Sequence, residues 1–168
     1  MLKRKNKRVL SIVLAVAMIV GLFPIAAFAD NGTTTVSDEN GLKEALTADT
    51  TSTIVLSQDI NVDEQLTVNG SHVLDLGSHT LRSQVNQHAI LVKSKANLTV
   101  QNGTLVLDTD TSNIAAINSE SASTVTLAAN ATINSDKAGI LCGNDKSKAD
   151  SKATLNVYGK IDCHDVGV

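Results

Sequence analysis

Aromatic rings are nearly missing from this chain of 168 residues: tryptophan is absent, Tyr158 is the single tyrosine, and both phenylalanines, Phe23 and Phe28, lie close to the N-terminus. Compact cores and sugar-stacking platforms both lean on such rings, so the chain must bury aliphatic groups in some other arrangement. Proline is confined to Pro24, and cysteine to Cys142 and Cys163, neither of which sits in a Cys-x-x-Cys metal spacing. Arginine is almost as scarce, with Arg82 alone beyond the first eight positions.

What is present begins with a basic head, Lys3, Arg4, Lys5, Lys7 and Arg8, followed by an apolar run from Val9 to Phe23, Pro24, and the small-x-small triplet Ala27-Phe28-Ala29. This is the layout of a secretory signal peptide over residues 1–29, cleaved between Ala29 and Asp30. An uncleaved anchor is the competing reading, because the run approaches the ~20 residues a spanning helix needs. Pro24 and the Ala-x-Ala site weigh against it. Cleavage removes five of the 14 basic residues and leaves nine against 17 acidic ones, a formal charge of −8. The expected product is secreted or surface-displayed, free of the membrane after cleavage, and too acidic to favour nucleic acid as a partner.

The rest of the chain repeats. Leu74/Leu76, Leu98/Val100, Val125/Leu127 and Leu155/Val157 form one series of paired aliphatic residues, and its second members are 24, 27 and 30 residues apart. A second ladder runs through Leu81, Leu105, Ile133 and Ile161, and a third through Ile90, Ile117, Ile140 and Val168. Three aliphatic positions per period, in fixed order, describe a coil with three faces. Each strand then pairs in parallel with its counterpart in the next coil, with alternate residues turned inward. The stretch "ANLTVQNGTLVL" carries an Asn-Gly pair that reads as a hairpin on local rules. Ser78-His79, Asn130-Ala131 and Tyr158-Gly159 hold the same place in the other periods, so Asn102-Gly103 is a corner, with Gly103 relieving the bend.

This pattern, together with "STIVLSQDINVDEQLTVNGSHVLDLGSHTLRS", resembles the right-handed parallel β-helix of pectate-lyase-like secreted and surface proteins of Gram-positive-type bacteria. The resemblance covers about Val36 to Val168 and specifies architecture better than chemistry; the handedness is what the resemblance implies, not something the period shows. The expected organisation is all-β: a signal peptide over 1–29, an N-terminal segment over 30–52 with a short capping helix, and coils over 53–168. In "VSDENGLKEALTAD", Leu42, Ala45 and Leu46 fall on one helical face, with Ser37 as the N-cap, and the helix would lid the open end of the solenoid. The last ladder residue, Val168, has no polar cap after it, so the coils are expected to continue, or the edge to pair with further coils or a second copy.

Site chemistry is sparse. Cys163 holds the place of Ser135 one coil earlier while Cys142 lies on the third face; a bridge needs Cα atoms within ~7 Å, which different faces do not favour, and the sequence leaves the pairing open. Pectate lyases gather carboxylates on one face to bind calcium and use a basic residue to take a proton. Here no second basic residue accompanies Arg82, and the carboxylates, including Asp108, Asp110, Asp145, Asp150, Asp162 and Asp165, are not expected to repeat on one ladder in adjacent coils. "NSDKAGILCGND" resembles the Asp-rich strand of polygalacturonases, but Lys137 and Ala138 stand where a second carboxylate is wanted. Asp108, Asp110 and Asn113 in "DTDTSN" are weak Ca²⁺ candidates lacking the glycine and terminal glutamate of a full loop motif. The histidines His72, His79, His88 and His164 show no ligand spacing, and Thr-rich corners account for the Asn-x-Thr triplets at Asn31, Asn97, Asn102 and Asn130. No catalytic residue and no cofactor is assigned. The expected function is a non-catalytic structural or adhesive β-helix whose partners are cell-wall or host polysaccharide or a surface protein. The alternative is the N-terminal part of a carbohydrate-active or polysaccharide-binding protein.

Overall fold

Each coil is built from short strands whose alternate residues turn inward and are mostly aliphatic, as in Asn97–Gln101, where Leu98 and Val100 are buried between exposed or half-buried neighbours. A computed structural model describes residues 32–143 and 152–164 of the chain. The signal peptide expected over 1–29, Asp145, Asp150, Asp165 and the ladder residue Val168 lie outside these residues.

Fifteen strands and one helix occur among the described residues. Sheet I contains β1 (Thr33–Val36), β2 (Thr51–Leu56), β5 (Ser71–Asp75), β8 (Asn97–Gln101), β11 (Thr124–Leu127) and β14 (Thr154–Val157), in that spatial order. Sheet II stacks β3 (Ile60–Val62), β6 (Thr80–Ser83), β9 (Gly103–Leu107), β12 (Ala131–Ser135) and β15 (Lys160–Cys163). Sheet III stacks β4 (Leu66–Val68), β7 (Ile90–Val92), β10 (Ala115–Ser119) and β13 (Ala138–Cys142). All pairings are parallel, so the chain is a β-solenoid in which the other two strands of a coil serve as the crossover that parallel strands require.

The core lies along the axis. In sheet II, Ile60, Leu81, Leu105, Ile133 and Ile161 stand side by side, and in sheet III Leu66, Ile90, Ile117 and Ile140 do the same. Each fully buried side chain of this kind stabilises the stack by ~1.5–3 kcal/mol. Sheet I corrects the sequence reading: Val100 stands beside Leu74, not Leu76, and Leu98 stands beside His72. Leu76 is buried beyond the strand end, where its backbone N–H reaches Gln101 O at 2.9 Å. A polar residue therefore fills one inward slot. His72 is 3% exposed and is satisfied by Ser52 Oγ at 2.8 Å and Ala48 O at 3.1 Å.

The N-terminal segment also differs from expectation. Sheet I starts before the helix, because β1 pairs with β2 from Thr33↔Thr53 to Val36↔Leu56, and β2 begins at Thr51. Helix α1 (Glu39–Thr47) connects the two strands. Its N-cap is Asp38 rather than Ser37: Asp38 Oδ1 accepts from Gly41 N at 2.8 Å, and its charge complements the helix N-terminus. Leu42 and Leu46 are fully buried against the first coil. The last carbonyls of the helix are occupied as well, Leu46 O by Asn69 N and Thr47 O by Asn69 Nδ2 at 2.9 Å. Lys43 Nζ reaches Glu64 Oε2 at 2.6 Å and so ties α1 to the loop after β3.

Asn102-Gly103 is a corner, joining β8 of sheet I to β9 of sheet II. The left-handed residue is Asn102, at φ +59°, and not the glycine. Gly103 is required for a different reason: a Cβ there would lie 2.6 Å from that of Leu76 and closer still to His79 O in the coil below.

Candidate functional site

Sheet II presents its outward residues as a column, Arg82, Val106, Asn134 and Asp162, in register across four coils. One residue beyond the strand ends runs a second column, Asp108, Asp136 and His164, fixed by the backbone bonds Asp108 N to Ser83 O (2.9 Å), Asp136 N to Leu107 O (3.0 Å) and His164 N to Ser135 O (3.1 Å). Together the two columns line a groove of about 370 Å³. Carboxylates thus do repeat in adjacent coils, contrary to the sequence reading. Asp108 and Asp136 look like loop residues in sequence, but each directly follows a paired strand and inherits its stacking.

Every carboxylate of the groove has a basic partner. Arg82 Nη1 lies 3.3 Å from Asp108 Oδ2, which also accepts from Gln84 Nε2 at 3.2 Å. His164 Nδ1 lies 3.2 Å from Asp136 Oδ1, and Lys160 Nζ 3.1 Å from Asp162 Oδ2. The Asp108 and Asp136 side chains are 46% and 44% exposed, so neither occupies the dry apolar pocket in which a carboxylic acid is kept protonated for general acid catalysis. The surface is instead a row of acidic and basic side chains and an amide, suited to holding a polar ligand laid across the coils.

Of the Ca²⁺ candidates, the structure draws Asp108 into this groove, while Asp110 is exposed and Asn113 occupies a left-handed turn at φ +62°. Thr111 between them donates through Oγ1 to Asn86 Oδ1 at 2.8 Å. Among the described residues no three His, Cys, Asp or Glu side chains are grouped so that they could hold a metal ion. Cys142 ends β13 beside Ser119 and Cys163 ends β15 beside Ser135, so the thiols belong to different sheets, and both are free.

A second polar constellation, Asp75 with Asn102 and Asn130, lines the corner between sheets I and II. The Asp75 carboxylate accepts from Gly77 N (2.9 Å), Gln101 Nε2 (2.9 Å) and Asn102 Nδ2 (2.8 Å), and Asn130 Nδ2 donates in turn to Asn102 Oδ1. Burial alone would raise the Asp75 pKa, but these donors outweigh it and hold the carboxyl below its ordinary value. A carboxylate with every near donor engaged is a structural device, and its signal in the sequence is the Asp-x-Gly spacing that lets Asp75 close on Gly77 N. No protein-family model, no curated protein and no solved structure matches this chain.

Proposed function

We propose that the chain is a non-catalytic, secreted or cell-surface β-solenoid with a structural and adhesive role, and that the sheet II groove is its contact surface for cell-wall or host polysaccharide or a surface protein. The observation that carries this reading is the pairing of Asp108 with Arg82 and of Asp136 with His164 on a rigid stack, which makes an amphoteric row of recognition groups at fixed spacing. A parallel stack positions such groups without further ordering cost, as adhesion to a repeating polymer requires. The basic head and Ala27-Phe28-Ala29 support export.

The test is binding of the purified chain to immobilised polysaccharides and matrix proteins, with Arg82→Ala and Asp136→Ala as variants. Retention by the wild type and loss in both folded variants supports the reading; no retention on any surface overturns it. A carbohydrate-active enzyme is the second reading, favoured by the stacking of Asp108 on Asp136 with Asp162 in the neighbouring column. Release of new reducing ends or unsaturated sugars from the same polymers, abolished by Asp136→Asn, would establish it in place of the first.

A further inference from the structure

Three Asn-Gly pairs lie within the described residues: Asn40-Gly41, Asn69-Gly70 and Asn102-Gly103. Such a pair carries its own hydrolytic chemistry. Glycine has no side chain to keep its amide nitrogen away from the preceding carboxamide. That nitrogen can attack Cγ of the asparagine: the N–Cγ bond forms, the Cγ–Nδ2 bond breaks, and ammonia leaves with the glycine amide proton. Water then opens the cyclic imide at either carbonyl and leaves aspartate or isoaspartate. In sum, an amide and a water become a carboxylate and an ammonium ion.

The fold meets this reaction differently at each pair. In α1 the attacking nitrogen is already engaged, because Gly41 N donates to Asp38 Oδ1 at 2.8 Å. Asn69 is tied to the main chain, its Nδ2 donating to Thr47 O at 2.9 Å, and Gly70 is buried. At the corner between sheets I and II the carboxamide is held by side chains alone: Asn102 Nδ2 donates to Asp75 Oδ2 at 2.8 Å, and Asn102 Oδ1 accepts from Asn130 Nδ2. The peptide between Asn102 and Gly103 is pinned to the coil below, since Asn102 O accepts from Ser78 N and Thr104 N donates to His79 O at 3.1 Å. Bringing Gly103 N onto Cγ requires rotating that peptide and swinging the carboxamide. The reaction therefore waits for a local opening in which these contacts break together. Asn102 is half-buried, so water reaches the corner once it opens.

We propose that Asn102-Gly103 is a guarded deamidation site: Asp75 and Asn130 preserve the amide while the corner is closed, and a corner that opens is hydrolysed to a form that does not reclose as before. The product loses the donor that Asp75 holds and sets a second carboxylate against the first. Isoaspartate also routes the main chain through the side chain, and the added methylene sits directly before β9, whose register with β12 starts at Gly103. The proposal is independent of the sheet II groove and its ligand.

The test is peptide mass mapping of the purified full chain after incubation at mildly alkaline pH in oxygen-labelled water, in native buffer and in urea. In urea Asn102 and Asn69 should both convert. In native buffer the wild type should keep Asn102 intact over the time in which the unfolded chain converts. Asp75→Ala and Asn130→Ala should each speed conversion at Asn102 while Asn69, in the same molecules, keeps its wild-type rate. Roughly tenfold is expected for Asp75→Ala, the factor by which losing one charge-assisted hydrogen bond eases opening. Asn130 is exposed, so its variant carries the test if Asp75→Ala does not fold. Asn102→Asp, which is the product itself, should melt below the wild type at neutral pH. A native wild type that converts at Asn102 as fast as the unfolded chain overturns the proposal. So do folded variants in which Asn102 converts no faster than in the wild type or only in step with Asn69, and an Asn102→Asp chain that melts like the wild type.

Discussion

The carboxylate of Asp75 in β5 accepts a 2.8 Å hydrogen bond from Asn102 Nδ2 in the next coil, while Asn102 itself holds a left-handed backbone at the corner. One charged group thereby braces the corner between sheets I and II. The Asp75 pKa is lowered in the folded chain, so its contribution to stability is complete above the unfolded value near 3.9 and is lost as pH falls through the folded value. Asp75→Asn turns an amide N–H₂ toward the donors of Gln101 and Asn102. It should lower the melting temperature at pH 7, and the gap to wild type should narrow progressively as pH falls below about 3.9. Thermal melts followed by circular dichroism across this range decide the point.

A second pH effect is expected at milder values. His88 Nδ1 accepts the backbone N–H of Ala115 at 3.0 Å, and burial lowers its pKa from 6.5. The unfolded chain therefore takes up the proton first. Stability from this contact is complete above about pH 6.5 and falls as pH drops through the folded value. His88→Gln retains an acceptor for Ala115 without titrating between pH 5 and pH 7.5, so wild type should lose stability against it over this interval. Denaturant titrations of the two proteins at both ends of the range provide the measurement, and parallel behaviour would exclude the assignment.

Ser83 is fully buried, and its Oγ has no hydrogen-bond partner, in an inward column between Val62 and Leu107. Removing an unsatisfied buried hydroxyl relieves a desolvation cost, so Ser83→Ala should stabilise the chain by about 1 kcal/mol. The urea midpoint should rise with an unchanged slope. A fall in the midpoint would mean that the hydroxyl has an unseen partner.

The same inward columns explain how much of the fold was legible. Leu105 and Ile133 could be aligned from the sequence because each is the central buried residue of its strand, and Ile161, partly buried, continues their column. Leu76 could not be told from Leu74, since a slip of two residues leaves every side chain on the same face and preserves the aliphatic pattern. Strand β1 was illegible because Val36 is its one buried residue, and Asp38 was missed because an equally good cap, Ser37, precedes it. The groove was half visible: Arg82 and Asp162 sit within strands, whereas Asp108 and Asp136 lie one residue past a strand end, where variable loop lengths conceal the register.

Val100 gives the sharpest test of that register. It is fully buried with Leu74 on one side and Leu127 on the other, so a charge at this position would be desolvated between two coils with no base in reach of its column. Leaving a buried charge unpaired costs about 3–5 kcal/mol, a large part of the stability of a single domain. Thr99→Asp, one residue earlier on the same strand, places the same carboxylate on the outer face, where water solvates it. Val100→Asp should therefore abolish the cooperative melt and protease resistance, while Thr99→Asp keeps both. The contrast matters because the two variants share net charge and strand and place the same carboxylate on opposite faces. If Val100→Asp folds and resists protease like wild type, the inward assignment of the whole Ile54, Leu74, Val100, Leu127 column is wrong, and the solenoid would have to be built on a different register.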